Sequence, residues 1–276
     1  MQKIDAHQHF WKFDAVRDSW ITNEMAVIQR DFLPGDLEPV LKENNFDGCV
    51  VVQSSQSEEE NVFQLANAAK YHFINGVVGW IDLQAFDIEQ KLAYYHKFEK
   101  MKGFRHVLQG EADRSLMLRS KFMNGISKLE KFNFTYDLLI FPDQLQYIPP
   151  FVSSFPNQKF VIDHIAKPLI KDGKTAEWKK EIQAVAKHEN VWCKVSGLAT
   201  EADWKLWKPA DFTPYLDTVT EAFGTKRIMF GSDWPVCLVA ASYQETLGVA
   251  KDYFSDFSGN EQEAFFGGNA VAFYNL

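Results

Sequence analysis

Cysteine is scarce in this 276-residue chain: only Cys49, Cys193 and Cys237 occur, far apart, and an odd number leaves at least one unpaired. A disulfide framework is thereby excluded, and the three thiols are expected to behave as small core hydrophobes. Basic residues are outnumbered, with 29 Lys+Arg against 37 Asp+Glu and a net charge of −8. That balance argues against a nucleic-acid partner, which would call for a basic face able to displace counterions from phosphates. No segment reaches the ~18 consecutive apolar residues of a membrane helix. The opening MQKIDAHQHF lacks the basic stretch and apolar run of a secretion signal. A cytoplasmic protein with no membrane association is expected. Low-complexity tracts, Gly/Ser linkers and blocks of like charge are missing too, so residues 1–276 read as a single domain.

What the chain does have is 46% apolar and 24% charged side chains, proportions of a folded protein and not of a disordered one. Short β-rich runs recur at 3–7, 48–53, 76–82, 103–107, 135–140, 159–164, 191–196 and 227–232. Several are nearly continuous in Val, Ile, Phe and Cys, as strands covered on both faces should be. Helical signals lie between them. Ser57 followed by Glu60 forms a capping-box pattern for a helix through Lys70, Asp87 and Gln90 mark another before Leu92, and Thr213-Pro214 places proline at a first helical position. Alternating β and α units of about 34 residues match a single (β/α)8 TIM barrel. The competing doubly wound sheet would carry a Gly-rich phosphate turn after its first strand, and Asp5-Ala-His-Gln-His9 has none.

Functional groups of such a barrel gather at the carboxyl ends of its strands, so the residue that ends each run carries the information. These ends are strongly polar. The first run ends in His7-Gln-His9, the second in Gln53, and the fourth in Arg105 and His106 with Glu111 close behind. The sixth ends at Asp163-His164, the seventh presents Lys194 and Ser196, and the eighth closes with Ser232-Asp233. The strand period of two puts His7 and His9 on one face, which at a barrel mouth is the interior. Closing the barrel pairs strand eight with strand one and brings Asp233 beside both imidazoles. Such a set can bind a divalent ion or, without one, donate hydrogen bonds to a substrate oxygen. Adjacent strand residues face opposite ways, so Arg105 and His106 should not both point inward.

Five motifs then make the sequence recognisable: Asp5-Ala-His-Gln-His-Phe-Trp11, Lys102-Gly-Phe-Arg-His106, Asp163-His-Ile-Ala-Lys-Pro168, Lys194-Val-Ser-Gly-Leu198 and Phe230-Gly-Ser-Asp-Trp-Pro235. In this order they resemble the amidohydrolase-2 branch of the amidohydrolase superfamily, with greatest similarity to sugar-lactone hydrolases of the L-fuconolactonase type. The resemblance runs through Gly267-Gly-Asn-Ala-Val-Ala-Phe-Tyr274. It implies a metal-dependent-hydrolase barrel with His7, His9, His164 and Asp233 in the active site. Many members also carry a metal-binding histidine on strand five and a carboxylated lysine on strand four. Neither is evident here, so a binuclear centre is not expected. One divalent ion such as Zn²⁺, on His7, His9 and Asp233, and a metal-free site both stay open.

The implied reaction is the opening of a sugar (aldono) lactone to its acid. Asp233 would serve as general base toward water and then as acid toward the ring oxygen, while His7, His9 and His164 polarise the carbonyl. Trp11, Gln53, Arg105, His106, Glu111, Lys194 and Trp234 are the expected substrate contacts, since polyols are bound by many modest hydrogen bonds and an aromatic face. Two alternatives remain: another activity of the same branch, on a pyrone or aromatic carboxylate, and a barrel that binds a sugar without turning it over. The partner is a small molecule in each case, and whether copies of the chain form a homo-oligomer is left open.

Overall fold

All eight β-rich runs form parallel strands in the computed structural model, which describes residues 2–276. They are β1 Ile4–Gln8, β2 Gly48–Val52, β3 Ile74–Gly79, β4 Met101–His106, β5 Thr135–Leu138, β6 Phe160–Ile162, β7 Val191–Val195 and β8 Ile228–Phe230. Each strand neighbours the next in sequence order. Just beyond β8 the chain bridges back to β1, with the His9 amide donating to the Trp234 carbonyl at 2.7 Å and the Asp233 amide to the His7 carbonyl at 2.8 Å. This last pairing closes the barrel at its carboxyl end.

Helices fill the connections: α1 Pro34–Glu43, α2 Glu58–Lys70, α3 Ile88–Tyr95, α4 Ser120–Leu129, α5 Ile148–Ser153, α6 Ala176–Ala186, α7 Pro209–Phe223, α8 Tyr243–Tyr253, α9 Gly259–Glu263 and α10 Asn269–Tyr274. Two of the expected helix starts need correction. Ser57 caps α2 by accepting from the Glu60 amide at 3.2 Å, but the Glu60 carboxylate turns away and accepts from the Ser54 and Ser55 amides, both at 2.6 Å. It thus anchors the loop after β2 instead of closing a box. In α7 the first turn begins at Pro209, with the Asp211 carboxylate accepting from the Lys208 amide at 2.8 Å, so Pro214 lies inside the helix.

Two apolar layers result. Between strands and helices lies the main core, which includes Cys49, Cys193 and Cys237 as buried free thiols. Inside the barrel, Ile4, Ala6, Val50, Val52, Val78, Val161 and Met229 pack on Ala270, Phe273 and Tyr274 of α10, which plugs the amino end. The strand register of β1 against β2 shifts between Asp5 and Gln8. Ala6 therefore faces the apolar interior while His7, its neighbour, points inward as well. A regular strand would have put one of them outside.

Candidate active site

Asp5, on the outer side of the same irregularity, accepts from the Ser232 amide at 2.9 Å and the His7 amide at 3.2 Å. One carboxylate thus clamps the β1–β8 seam from behind. Gly231 makes the approach feasible, because a Cβ there would lie 2.6 Å from the His7 Cβ. On the inner side Asp233 Oδ1 stands 3.4 Å from His9 Nε2, 3.8 Å from His7 Nε2 and 3.9 Å from His164 Nε2. His164 is delivered by a backbone of uncommon shape: residues 164–167 have φ of 52°, 47°, 61° and 50°, and Asp233 itself has φ 58°. Left-handed L-residues cost roughly 1–2 kcal/mol each, so the surrounding packing must hold this turn in place.

One proton at His9 can be assigned from its partner. Its Nδ1 lies 2.7 Å from the Val52 carbonyl oxygen, which only accepts, so Nδ1 carries a proton. Its Nε2 stands 3.2 Å from His7 Nε2 and 3.4 Å from Asp233 Oδ1. Burial drives both His7 and His164 well below the usual imidazole range, outweighing their carboxylate neighbours and favouring the neutral form. For Asp233, burial is outweighed by the electrostatics of His164 and a bond from His9, and its pKa is lowered. Neutral imidazoles and an ionised carboxylate converging on one point form a donor set that fits a divalent cation. His7, His164 and Asp233 each offer an atom within 4.8 Å of the others, so His164 joins the expected His7 and Asp233 in the metal-competent set. His9 stands against two of its members.

Beneath the imidazoles is a layer of buried charge. Arg105 Nη1 donates to Asp163 Oδ2 at 3.0 Å, and Lys194 Nζ reaches Asp163 Oδ1 at 3.0 Å, Asp137 Oδ2 at 2.5 Å and His7 Nδ1 at 3.1 Å. Asp163 Oδ1 also lies 3.2 Å from His7 Nδ1. Burial pushes Asp137 up to about 6 despite the opposing Lys194 charge, whereas burial at Asp163 is overcome by Lys194, His7 and Arg105, which hold it well below the carboxylate range.

The expected parity conflict on β4 resolves in favour of Arg105, which points inward. His106 faces α4 and the loop beside it, accepting from Trp80 Nε1 at 3.2 Å and donating to Glu111 Oε1 at 2.7 Å. His106 and Glu111 thus pair with each other beside the cleft. Lys194 and Gln53 have no exposed surface and do not line the cleft. Gln53 instead brackets Arg105, donating to its carbonyl at 3.2 Å and accepting from its guanidinium. Trp234 packs edge-on against Phe32 and Phe10, and Trp11 donates to the Arg30 carbonyl with its ring 6.4 Å from that of His9. Both tryptophans buttress the site from behind.

Over Asp233, His9, His164 and Arg105 opens a cleft of about 460 Å³, walled by residues from loops: Arg17, Trp20 and Met25 after β1, Ser54 to Gln56 after β2, Lys167 after β6, and Thr200, Glu201 and Trp204 after β7. Sequence reasoning passed over these. Loops have no period to read, and the only signal was that Lys167 and Ser196 follow polar strand ends; Ser196 Oγ holds His164 Nδ1 at 2.9 Å. Among the described residues lining this cleft, each Lys or Arg already has a carboxylate: Arg17 with Asp18 at 2.7 Å, Arg105 with Asp163, and Lys167 with Glu201 at 3.2 Å.

Two proteins named L-fucono-1,5-lactonase are similar along the chain. That of Burkholderia multivorans is 37% identical and that of Burkholderia ambifaria 35%, each match covering 99% of this chain and 96% of the relative. The crystal structure of an amidohydrolase from Burkholderia multivorans with bound zinc superposes with a TM-score of 0.97 at 37% identity, covering 100% of both chains. A probable 2-pyrone-4,6-dicarboxylic acid hydrolase from Acinetobacter baumannii shares the fold, with a TM-score of 0.82 at 19% identity over 100% of both chains. Residues 4–276 match the amidohydrolase family as a whole, and with the imidazoles and carboxylate of β1, β6 and β8 meeting at one point, this chain belongs to that family.

Proposed function

We propose that this protein hydrolyses a neutral sugar lactone of the L-fuconolactone kind to the corresponding sugar acid. The observation that carries the reading is the meeting of Asp233 with His7, His9 and His164 at the floor of a cleft large enough for a sugar ring. All three histidine contacts fall on Oδ1 of Asp233, which leaves Oδ2 to take a proton from water. The same carboxyl group then returns the proton to the ring oxygen as the tetrahedral intermediate collapses, so one residue serves both halves of the reaction. Arg105 and the imidazoles would stabilise the charge that the carbonyl oxygen gains. A divalent ion such as zinc, held by His7, His164 and Asp233 with His9 against them, would supply Lewis acidity there. The zinc-bearing relative supports this, as do the names of the two lactonases.

The paired wall cations favour a neutral substrate over a pyrone carboxylate, because an incoming carboxylate would meet no uncommitted positive side chain in the cleft. A panel of aldonolactones, followed by proton release in a pH-indicator assay with and without chelator, tests the reading. Acid formation from a 1,5-lactone of a deoxy sugar is expected, falling on chelation and returning with added Zn²⁺. Absence of acid formation from every aldonolactone, with the ion supplied, overturns it.

A further inference from the structure

Tyr274 reaches into the barrel from the plug at its far end. Its ring lies in the apolar layer with Ile4, Val50 and Met229, yet its hydroxyl donates to both oxygens of Asp137, at 2.8 and 3.0 Å. Asp137 in turn receives Lys194 Nζ, which also stands 3.1 Å from His7 Nδ1 and 3.0 Å from Asp163 Oδ1. Three buried neighbours, two of them carboxylates, thus surround the ammonium and hold its position.

We propose that Tyr274 is a positioning residue for His7, acting through Asp137 and Lys194 across the barrel interior; as a statement about catalysis this rests on the lactonase reading above. The chain of contacts is continuous and buried. Every member, Tyr274, Asp137, Lys194 and His7, is at most 2% exposed. Without the phenol hydroxyl, Asp137 is free to rotate and, with burial already driving it up to about 6, is more readily neutralised. A neutral or rotated Asp137 no longer fixes the ammonium, and His7 Nδ1 then loses a partner whose place was set.

Tyr274→Phe keeps the ring and removes only the hydroxyl, and Val271→Ala perturbs the same helix without touching the chain. For Tyr274→Phe, kcat is expected to fall about tenfold with KM nearly unchanged, and the ¹⁵N signals of the His7 imidazole to shift. Val271→Ala should do neither. In an Asp137→Asn background the added cost of Tyr274→Phe should shrink to less than about twofold, because the two act in series. Unmoved His7 signals in folded Tyr274→Phe overturn the inference, as do equal shifts in Val271→Ala. The imidazole signals are read on the resting protein, so they decide the matter even if no lactone is opened. Should Asp137→Asn fail to fold, the comparison of Tyr274→Phe with Val271→Ala stands alone.

Discussion

Asp233 meets three imidazoles through one carboxylate oxygen and, on the proposed mechanism, also carries the proton, which an amide cannot accept. Asp233→Asn is expected to lower kcat by about 10²–10⁴-fold in a correctly folded protein, measured by proton release and checked by circular dichroism. Gly197 works at one remove. It has φ +65°, and a Cβ built there would lie 2.8 Å from His164 Nδ1. Gly197→Ala should therefore cost about 1 kcal/mol in chemical denaturation and lower kcat more than it raises KM, since the displaced ring is His164. Asp5 gives a pH signature. Burial raises it from 3.8 to about 6, against the bonds from Ser232 and His7. An acid raised on folding binds its proton more tightly in the native state, so its contribution is neutral below 3.8 and turns unfavourable as pH rises toward about 6. Thermal melts across that window should show wild type losing stability relative to Asp5→Asn, by up to about 3 kcal/mol. Of the residue-scale picture, His7, His9, His164 and Asp233 were legible because apolar strands rarely end in such groups. Lys194 and Gln53, expected as ligand contacts, lie fully buried below the cleft, since sequence does not tell how deep along a barrel axis an inward residue lies.

Among elements, the turn at residues 164–167 departs furthest from ordinary backbone. Ile165 is β-branched and sits at φ 47°, with its carbonyl pinned by Trp178 Nε1 at 2.8 Å. The strain keeps His164 aimed at the cleft, so relieving it should leave the fold intact and loosen the ring. Ala166→Gly is expected to hold Tm, because release of the left-handed backbone offsets the usual penalty, while kcat falls severalfold. The same exchange at Ala184 inside α6 should cost about 1 kcal/mol and leave kcat alone. No sequence rule announced this turn: Asp163-His-Ile-Ala-Lys-Pro168 has no glycine, the residue that normally marks such conformations. The strands, by contrast, could all be placed, because several are nearly continuous apolar runs, as burial on both faces requires, and the rest recur at the same spacing. Helix starts were read less well, since a Ser/Glu spacing does not reveal that Glu60 has nearer amides to accept from.

For the molecule as a whole, charge pairing in the cleft bears on both ends of the reaction. Arg17, Arg105 and Lys167 are each matched, so a neutral ring loses little on entering, whereas the acid formed from it meets Asp233 and Glu201 with no spare cation. Weak product inhibition is expected, together with a preference of at least about tenfold in kcat/KM for neutral lactones over uronic ones of equal size. Progress curves with added sugar acid would check the first, and paired substrates the second. The barrel seam has a temporal consequence. Asp5 and Ser232 stand 227 positions apart, and His7 meets Asp233 only where that seam shuts. A ribosome must therefore read through the codon for Asp233 before the site can assemble, and a chain halted before the eighth strand is inert toward the metabolites around it.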